Sequence, residues 1–342
     1  MGLNTIPAVA GGVTHNIQAF TSSTTWTVPT SAKYVDVLVV GGGTGGIGGS
    51  RGNYNSNFSG VGGGITILRD IYLNGTGTVA ITVGAGSNGT AGTSTTSYTN
   101  SSNAGFSAFG TYCYSSGGFG SDVMPGLPGY KGTVANAYNI NTDTNQANYA
   151  PFLSYMGSTN AFYLGTASTG NFLAALGVNA IGIKGGHSGT DGTSATNLNV
   201  AGGIPGASKP QDSTATMTLN TIPTFDFYNL KTDSLVGAAT AGTLGGAGGT
   251  AGPAGPVGLA GGGGTGYYGS GQHGQGGPGA GGAGGHGGRH LGGSGTGGNG
   301  GNAGANTGAG GGAGGVTGST TFGTGGNGGN GAAGIVVVHW IS

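Results

Sequence analysis

Three histidines, His273, His286 and His290, stand within one glycine-rich stretch and are its candidate metal ligands. Neutral imidazole nitrogens bind zinc and related ions. His286 and His290 have the spacing that brings two side chains together on a helix, but the glycines around them leave no helix to use it. A symmetric trimer could gather one imidazole per chain around its axis. Solvated turn histidines are the preferred reading, so no metal and no cofactor is expected. Gly41, Gly43 and Gly46 follow Val37–Val40 with the spacing of a dinucleotide fingerprint. That chemistry needs a helix whose N-terminus faces the pyrophosphate. The segment that follows, Ile47-Gly48-Gly49-Ser50-Arg51-Gly52-Asn53, cannot supply one.

The acids are eight Asp and no Glu, scattered along the chain. A paired-carboxylate hydrolase is hard to build from them, and no nucleophile–base–acid arrangement stands out. The expectation is a protein that is not an enzyme. Its aromatic residues point to binding instead. Tyr112, Tyr114, Phe119, Tyr130, Tyr138, Tyr149, Tyr267 and Tyr268 lie among Ser, Gly and Asn, the composition of binding loops. The same rings would also serve to fill a core short of Leu. The receptor-binding candidates are Tyr267, Tyr268, Tyr112, Tyr114, Phe119 and Tyr130. The first two interrupt a glycine repeat at an expected turn.

The elements that must position these residues follow from an unusual composition. Of 342 residues, 89 are Gly, against a norm of roughly 7%. Charged residues make up 5% and cancel to a net charge of zero, which argues against electrostatic binding of nucleic acid or anionic membranes. Gly disfavours helix by about 1 kcal/mol per residue, so only Asn171–Leu176 is allowed a helical turn. Abundant Tyr, Phe, Thr, Val and Ile argue for a folded chain over a disordered one. The fold class is therefore all-β.

Strands are expected over Phe20–Val28, Tyr34–Val40, Ile65–Leu73 and Thr78–Val83, then at the far end over Ile335–Ile341. In Thr78–Val83 the residues Val79, Ile81 and Val83 alternate with Thr78, Ala80 and Thr82, a half-buried pattern. Tyr34–Val40 is a near-continuous apolar run, suited to burial on both faces. The last strand has only glycine-rich sequence before it, so it is expected to return to the N-terminal strands and close a small antiparallel sandwich. Four regions result: 1–90 with the N-terminal strands, 91–236 as a Ser/Thr/Asn/Tyr-rich insertion of loops and short strands, 237–334 as a glycine-rich region, and 335–342 as the closing strand. Within the insertion, Ala161–Leu164, Ile181–Ile183 and Phe225–Leu230 are weak strand signals.

The glycine-rich region shows a period of three, as in Gly298, Gly301 and Gly304 or Gly325, Gly328, Gly331 and Gly334. A left-handed extended helix of three residues per turn makes no internal hydrogen bonds. Its backbone groups must find partners on neighbours, and two Gly per turn leave two bare sides for close approach. A bundle of polyglycine II helices is thus expected. Collagen, which needs unbroken triplets and plentiful Pro, and a flexible linker are the competing readings.

There is one Cys, so no intramolecular disulfide is available. Met1–Thr5 lacks the basic and apolar regions of a signal peptide. Ile335–Ile341 is too short to span a bilayer, and no membrane insertion is expected. Release by host lysis fits these features.

The stretch Thr25-Trp26-Thr27-Val28-Pro29, followed by Val35–Gly43, resembles the opening of the Gly-rich domain of phage tail-fibre and tail-tip proteins. Gly62–Ile65, Thr78–Gly86 and Gly331–Trp340 are similar to its later landmarks. The resemblance covers about 16–90 and 237–342 and implies an adhesin whose apical loops touch a host receptor, a cell-surface glycan or outer-membrane protein. It also implies other phage tail proteins as partners, a homo-oligomer or attachment to a trimeric fibre, and residence in the virion tail. The middle segment departs from that pattern. A structural subunit of a virion or filament without receptor binding is the alternative, and an ice-binding protein a third reading.

Overall fold

A computed structural model of the chain describes residues 14–51, 58–120, 126, 128–130, 163–164, 180–183, 185–186, 239–241, 259–264, 296–317 and 323–342. Tyr267, Tyr268, His273, His286, His290, the Asn171–Leu176 window and Phe225–Leu230 lie outside them. The described residues contain strands and no helix. In chain order the strands are β1 (His15–Phe20), β2 (Thr24–Thr27), β3 (Tyr34–Val40), β4 (Ile65–Tyr72), β5 (Thr78–Thr82), β6 (Ser107–Phe109), β7 (Cys113–Ser115), β8 (Pro128–Tyr130), β9 (Tyr163–Leu164), β10 (Ala180–Ile183) and β11 (Ile335–Ile341).

They form two antiparallel sheets, one of order β1-β11-β3-β4-β10-β9 and one of order β2-β5-β6-β7-β8. β11 lies between β1 and β3, pairing Val338 with Gln18 on one side and with Val37 on the other. The chain passes between sheets after β4 at Asn74-Gly75, where φ is 57° and 63°. Two successive left-handed residues suit Asn-Gly better than any other pair. Short strands of the middle segment extend both sheets. β6, β7 and β8 add to β5, and β10 and β9 add to β4.

Alternation decides which side chains meet. Val35, Val37 and Val39 of β3, Leu68 and Ile71 of β4, and Val336, Val338 and Trp340 of β11 point to one face of their sheet. There they share a buried cluster with Trp26, Val79, Ile81, Phe109 and Cys113 of the other sheet. On the opposite face Leu38, Val40, Ile65, Ile67, Ile335 and Val337 form a second cluster, covered by Leu259 and Ala260. This explains why β3 and β11 read as continuous apolar runs while β5 alternates.

The glycine-rich segments that leave β3 and β5, and those that enter β4 and β11, lie side by side at one end of the sheets. Along residues 43–48 successive amides address three neighbours in rotation. Gly43 and Gly46 donate to Ala332 and Gly329, each at 2.8 Å. Thr44 and Ile47 donate to Val61 and Phe58, each at 2.9 Å. Gly45 and Gly48 donate to the hydroxyls of Ser87 and Thr90. The carbonyls follow the same rhythm. Gly43, Gly46 and Gly49 accept from Ser87, Thr90 and Thr93, while Thr44 and Ile47 accept from Gly311 and Gly314. Residues 325–334 repeat the pattern, with Gly325, Gly328 and Gly331 donating to Thr93, Thr90 and Ser87, and Gly326, Gly329 and Ala332 donating to Gly315, Gly312 and Ala309.

Glycine is required here by proximity. A Cβ on Gly46 would meet the carbonyl oxygen of Gly312, and one on Gly328 would meet that of Gly46. The non-glycine residues take the remaining direction. Ile47, Val61, Ala313 and Val316 are buried between segments. Asn299, Asn302, Asn327 and Asn330 stand at the surface, where their side-chain oxygens accept the outward amides of Asn327, Asn330, Gly92 and Gly89.

Candidate functional site

The β6–β7–β8 part of the five-stranded sheet carries three of the six aromatic candidates in its backbone. Tyr112 occupies the β6–β7 turn, made tight by Gly110 at φ 51°. Its amide donates to Phe109 O at 3.0 Å, and its ring rests 5.8 Å from that of Phe109, leaving the side chain 36% exposed. Tyr114 is half-buried on β7, and its carbonyl accepts the Thr66 hydroxyl at 2.8 Å. On β8 the backbone of Tyr130 pairs with Cys113 of β7. Phe119 is half-buried just beyond β7.

A second group sits on the outer face of the six-stranded sheet, at the end away from the glycine-rich segments. Tyr34 opens β3 and Tyr72 closes β4; they are direct cross-strand partners. Their rings lie 5.0 Å apart, and the residues are 59% and 56% exposed. The Tyr72 hydroxyl donates to Asn74 Oδ1 at 2.8 Å, which fixes the ring. Ile17 and Ile341 are also about half exposed on this face, at 50% and 52%. Strand alternation puts His339 of β11, Asp36 of β3 and His15 of β1 between them.

The geometry around Asp36 is specific. Opposite it β4 carries an extra residue, so the register shifts between Val35 and Val37. Asp70 takes a φ of 57° there and donates its amide to Asp36 Oδ1 at 3.0 Å. The other carboxylate oxygen lies 3.4 Å from His339 Nδ1. His339 Nε2 is in turn 3.0 Å from His15 Nδ1. A His–Asp couple is the base-and-orienter half of a hydrolytic triad, but the position a nucleophile would take holds a second imidazole. Exposed aromatic rings beside hydrogen-bonding groups have the chemistry that is enriched at interfaces. Among the described residues no group of three or more His, Cys, Asp or Glu is arranged to hold a metal ion, and no helix is long and apolar enough to cross a membrane.

The sequence reading placed Tyr34 and Tyr72 in strands and passed over them as ligand contacts. The signal was their parity. By alternation each stands two residues from an acidic residue of the same parity, Tyr34 from Asp36 and Tyr72 from Asp70, which argues against the core side. Compared with protein-family models and with curated proteins, the chain finds no match.

Proposed function

We propose that the chain is a structural and adhesive protein of a bacteriophage tail, a tail-fibre or tail-tip component that binds a host cell-surface glycan or outer-membrane protein and has no enzymatic role. Its scaffold is a small β-sandwich, completed by β11, joined to a bundle of polyglycine II helices. The observation that carries this reading is the rotation of hydrogen bonds through three neighbours along residues 43–48. A helix with three residues per turn and no internal bonds requires such a rotation, and backbone contacts at Gly46 and Gly328 leave no room for side chains. Such a bundle is stiff without charge, disulfide or helix, which suits a fibre exposed outside the cell. The exposed Tyr34–Tyr72 pair and the Tyr112 turn supply recognition surfaces. Other tail proteins and further copies of the chain, or a trimeric fibre, are its assembly partners.

The test is adsorption. Purified protein should bind susceptible cells saturably and block infection by the parent phage. Filament formation by protein that ignores cells would replace this reading with that of a purely structural subunit. The uncharged edge strand β1 is the feature that favours this second reading, since such an edge invites pairing with another chain.

A further inference from the structure

We propose that edge strand β1 pairs with β1 of a second copy of the chain across a two-fold axis, joining two six-stranded sheets into one. The pairing rests on the structural reading of this edge and not on receptor binding. It closes a dimer, where a filament would leave an end open.

The backbone fixes which groups of β1 face outward. Thr14 and Ser342 exchange both backbone hydrogen bonds, each at 3.0 Å. In an antiparallel ladder such pairs alternate with pairs that exchange none. The register matches Asn16 with Trp340, Gln18 with Val338 and Phe20 with Val336, so these three residues of β1 turn N–H and C=O toward β11. His15, Ile17 and Ala19 turn theirs the other way. Among the described residues no strand lies on that side.

Sheet edges are usually blunted by shortness, charge or Pro. The other edge strands among the described residues follow that rule. β9 has two residues, β8 has three and begins at Pro128, and β2 has four with Pro29 soon after. β1 runs for six residues in unbroken register, with no Pro and no Asp, Glu, Lys or Arg.

The outward row is complementary to itself. Antiparallel pairing centred on Ile17 sets Ile17 opposite its own copy and His15 opposite Ala19 of the partner subunit. Each outward N–H and C=O then has a partner. Centring on Asn16 or Gln18 instead leaves one outward residue of each copy unmatched within β1. Alternation puts Ile17, 50% exposed, on the outer face, where the two isoleucines cover each other. On the inner face Asn16 stands opposite Gln18 of the partner subunit, amide against amide. Asn16-Ile17-Gln18 thus offers the same chemistry read in either direction, as a two-fold contact requires. A six-residue edge is small against the ~1,200–2,000 Å² of stable interfaces, so the dimer is expected to dissociate on dilution.

The experiment is analytical sedimentation of the wild-type protein and two variants from about 1 to about 200 μM, with amide hydrogen exchange at both ends of that range. The wild type should pass from the 32.2 kDa monomer to a dimer. Protection at His15, Ile17 and Ala19 should rise at least about tenfold with it, while Asn16, Gln18 and Phe20, bonded to β11, stay protected throughout. Ile17→Lys sets two cations against each other at the axis. Ile17→Pro deletes an outward N–H that β11 does not use, a placement that edge strands tolerate. Both should melt as the wild type does and remain monomeric. A wild type still monomeric at about 200 μM, a dimer that persists in either folded variant, or growth beyond the dimer overturns the proposal. So do outward amides already protected in the monomer, the mark of another segment of the same chain on this edge. Adsorption is read separately: protein that dimerises through β1 but ignores cells removes the receptor role and leaves the pairing intact.

Discussion

Trp26 and Trp340 meet with ring centroids 5.7 Å apart and planes at 51°, so β2 of one sheet and β11 of the other touch at the centre of the shared cluster. Trp26 also reaches Phe20 and Phe109 at 6.4 and 6.0 Å. Each indole N–H has a partner, Gln18 Oε1 at 2.8 Å for Trp26 and Ser31 Oγ at 3.2 Å for Trp340. The rings are buried and their polar edges satisfied, the arrangement that makes Trp most effective in a core.

Trp340→Ala should therefore destabilise the protein by about 3–5 kcal/mol, the usual range for emptying a buried Trp site. Urea denaturation followed by Trp26 fluorescence measures it. A loss below about 1 kcal/mol would mean that the two sheets do not depend on this contact.

Gly46→Ala and Gly328→Ala test close approach between segments. Each adds a single methyl group against a carbonyl of a neighbouring segment, and overpacking of this kind costs about 1–3 kcal/mol or more. Ala91→Ser, at an exposed position of the segment after β5, should stay within about 0.5 kcal/mol. Thermal melting of the three variants side by side separates the outcomes. Equal melting temperatures would remove the argument for a glycine-only interface.

Cys113 is buried in the main cluster, and burial pushes its thiol up to about 12 from an ordinary 9.0. The folded protein should resist thiol reagents at pH 8 and react only when denatured. The unfolded chain loses the proton near 9.0 and the folded one near 12. The folded state thus holds more protons in that window, and stability falls as pH rises through it. Comparing denaturation of wild type and Cys113→Ala at pH 8 and pH 10.5 isolates this contribution. The wild type should lose more stability than the variant.

Tyr34→Ala combined with Tyr72→Ala tests the exposed aromatic pair. Both side chains face solvent, so melting should change little, while adsorption to cells should fall at least about tenfold, as expected when aromatic anchors are removed. A parallel Tyr112→Ala variant compares the β6–β7 turn. Full adsorption by the double variant would move the binding surface elsewhere.

Much of the sheet structure was legible in the residues themselves. The apolar runs at Tyr34–Val40 and Ile335–Ile341 match β3 and β11, and the alternation expected over Thr78–Val83 covers β5, which ends one residue sooner at Thr82. The placement of β11 among N-terminal strands followed from its lack of any local partner. β1 was missed because His15-Asn16-Ile17-Gln18 has no clean alternation; its pairing comes from β11, which no local rule reveals. β6, β7 and β8 were missed for a related reason. Three-residue strands rely on register with neighbours more than on propensity. The candidate surface was less legible still. Tyr34 and Tyr72 are far apart in sequence and meet only through cross-strand pairing, whereas Tyr112 and Tyr114 are neighbours whatever the fold. Likewise, the period of three marked residues 325–334, yet it gave no sign that residues 41–51 would lie against them.

That last arrangement has a consequence for how the molecule comes to be made. Residues 41–51 are synthesised long before residues 326–332, so their amides at Gly43, Gly46 and Gly49 wait for acceptors at Ala332, Gly329 and Gly326. Contacts so distant along the chain make for slow assembly. Until residues 326–332 have been made, Gly43, Gly46 and Gly49 must remain hydrated and uncommitted. Removing residues 326–334 would then harm residues 41–51 as much as the strand that follows the deletion.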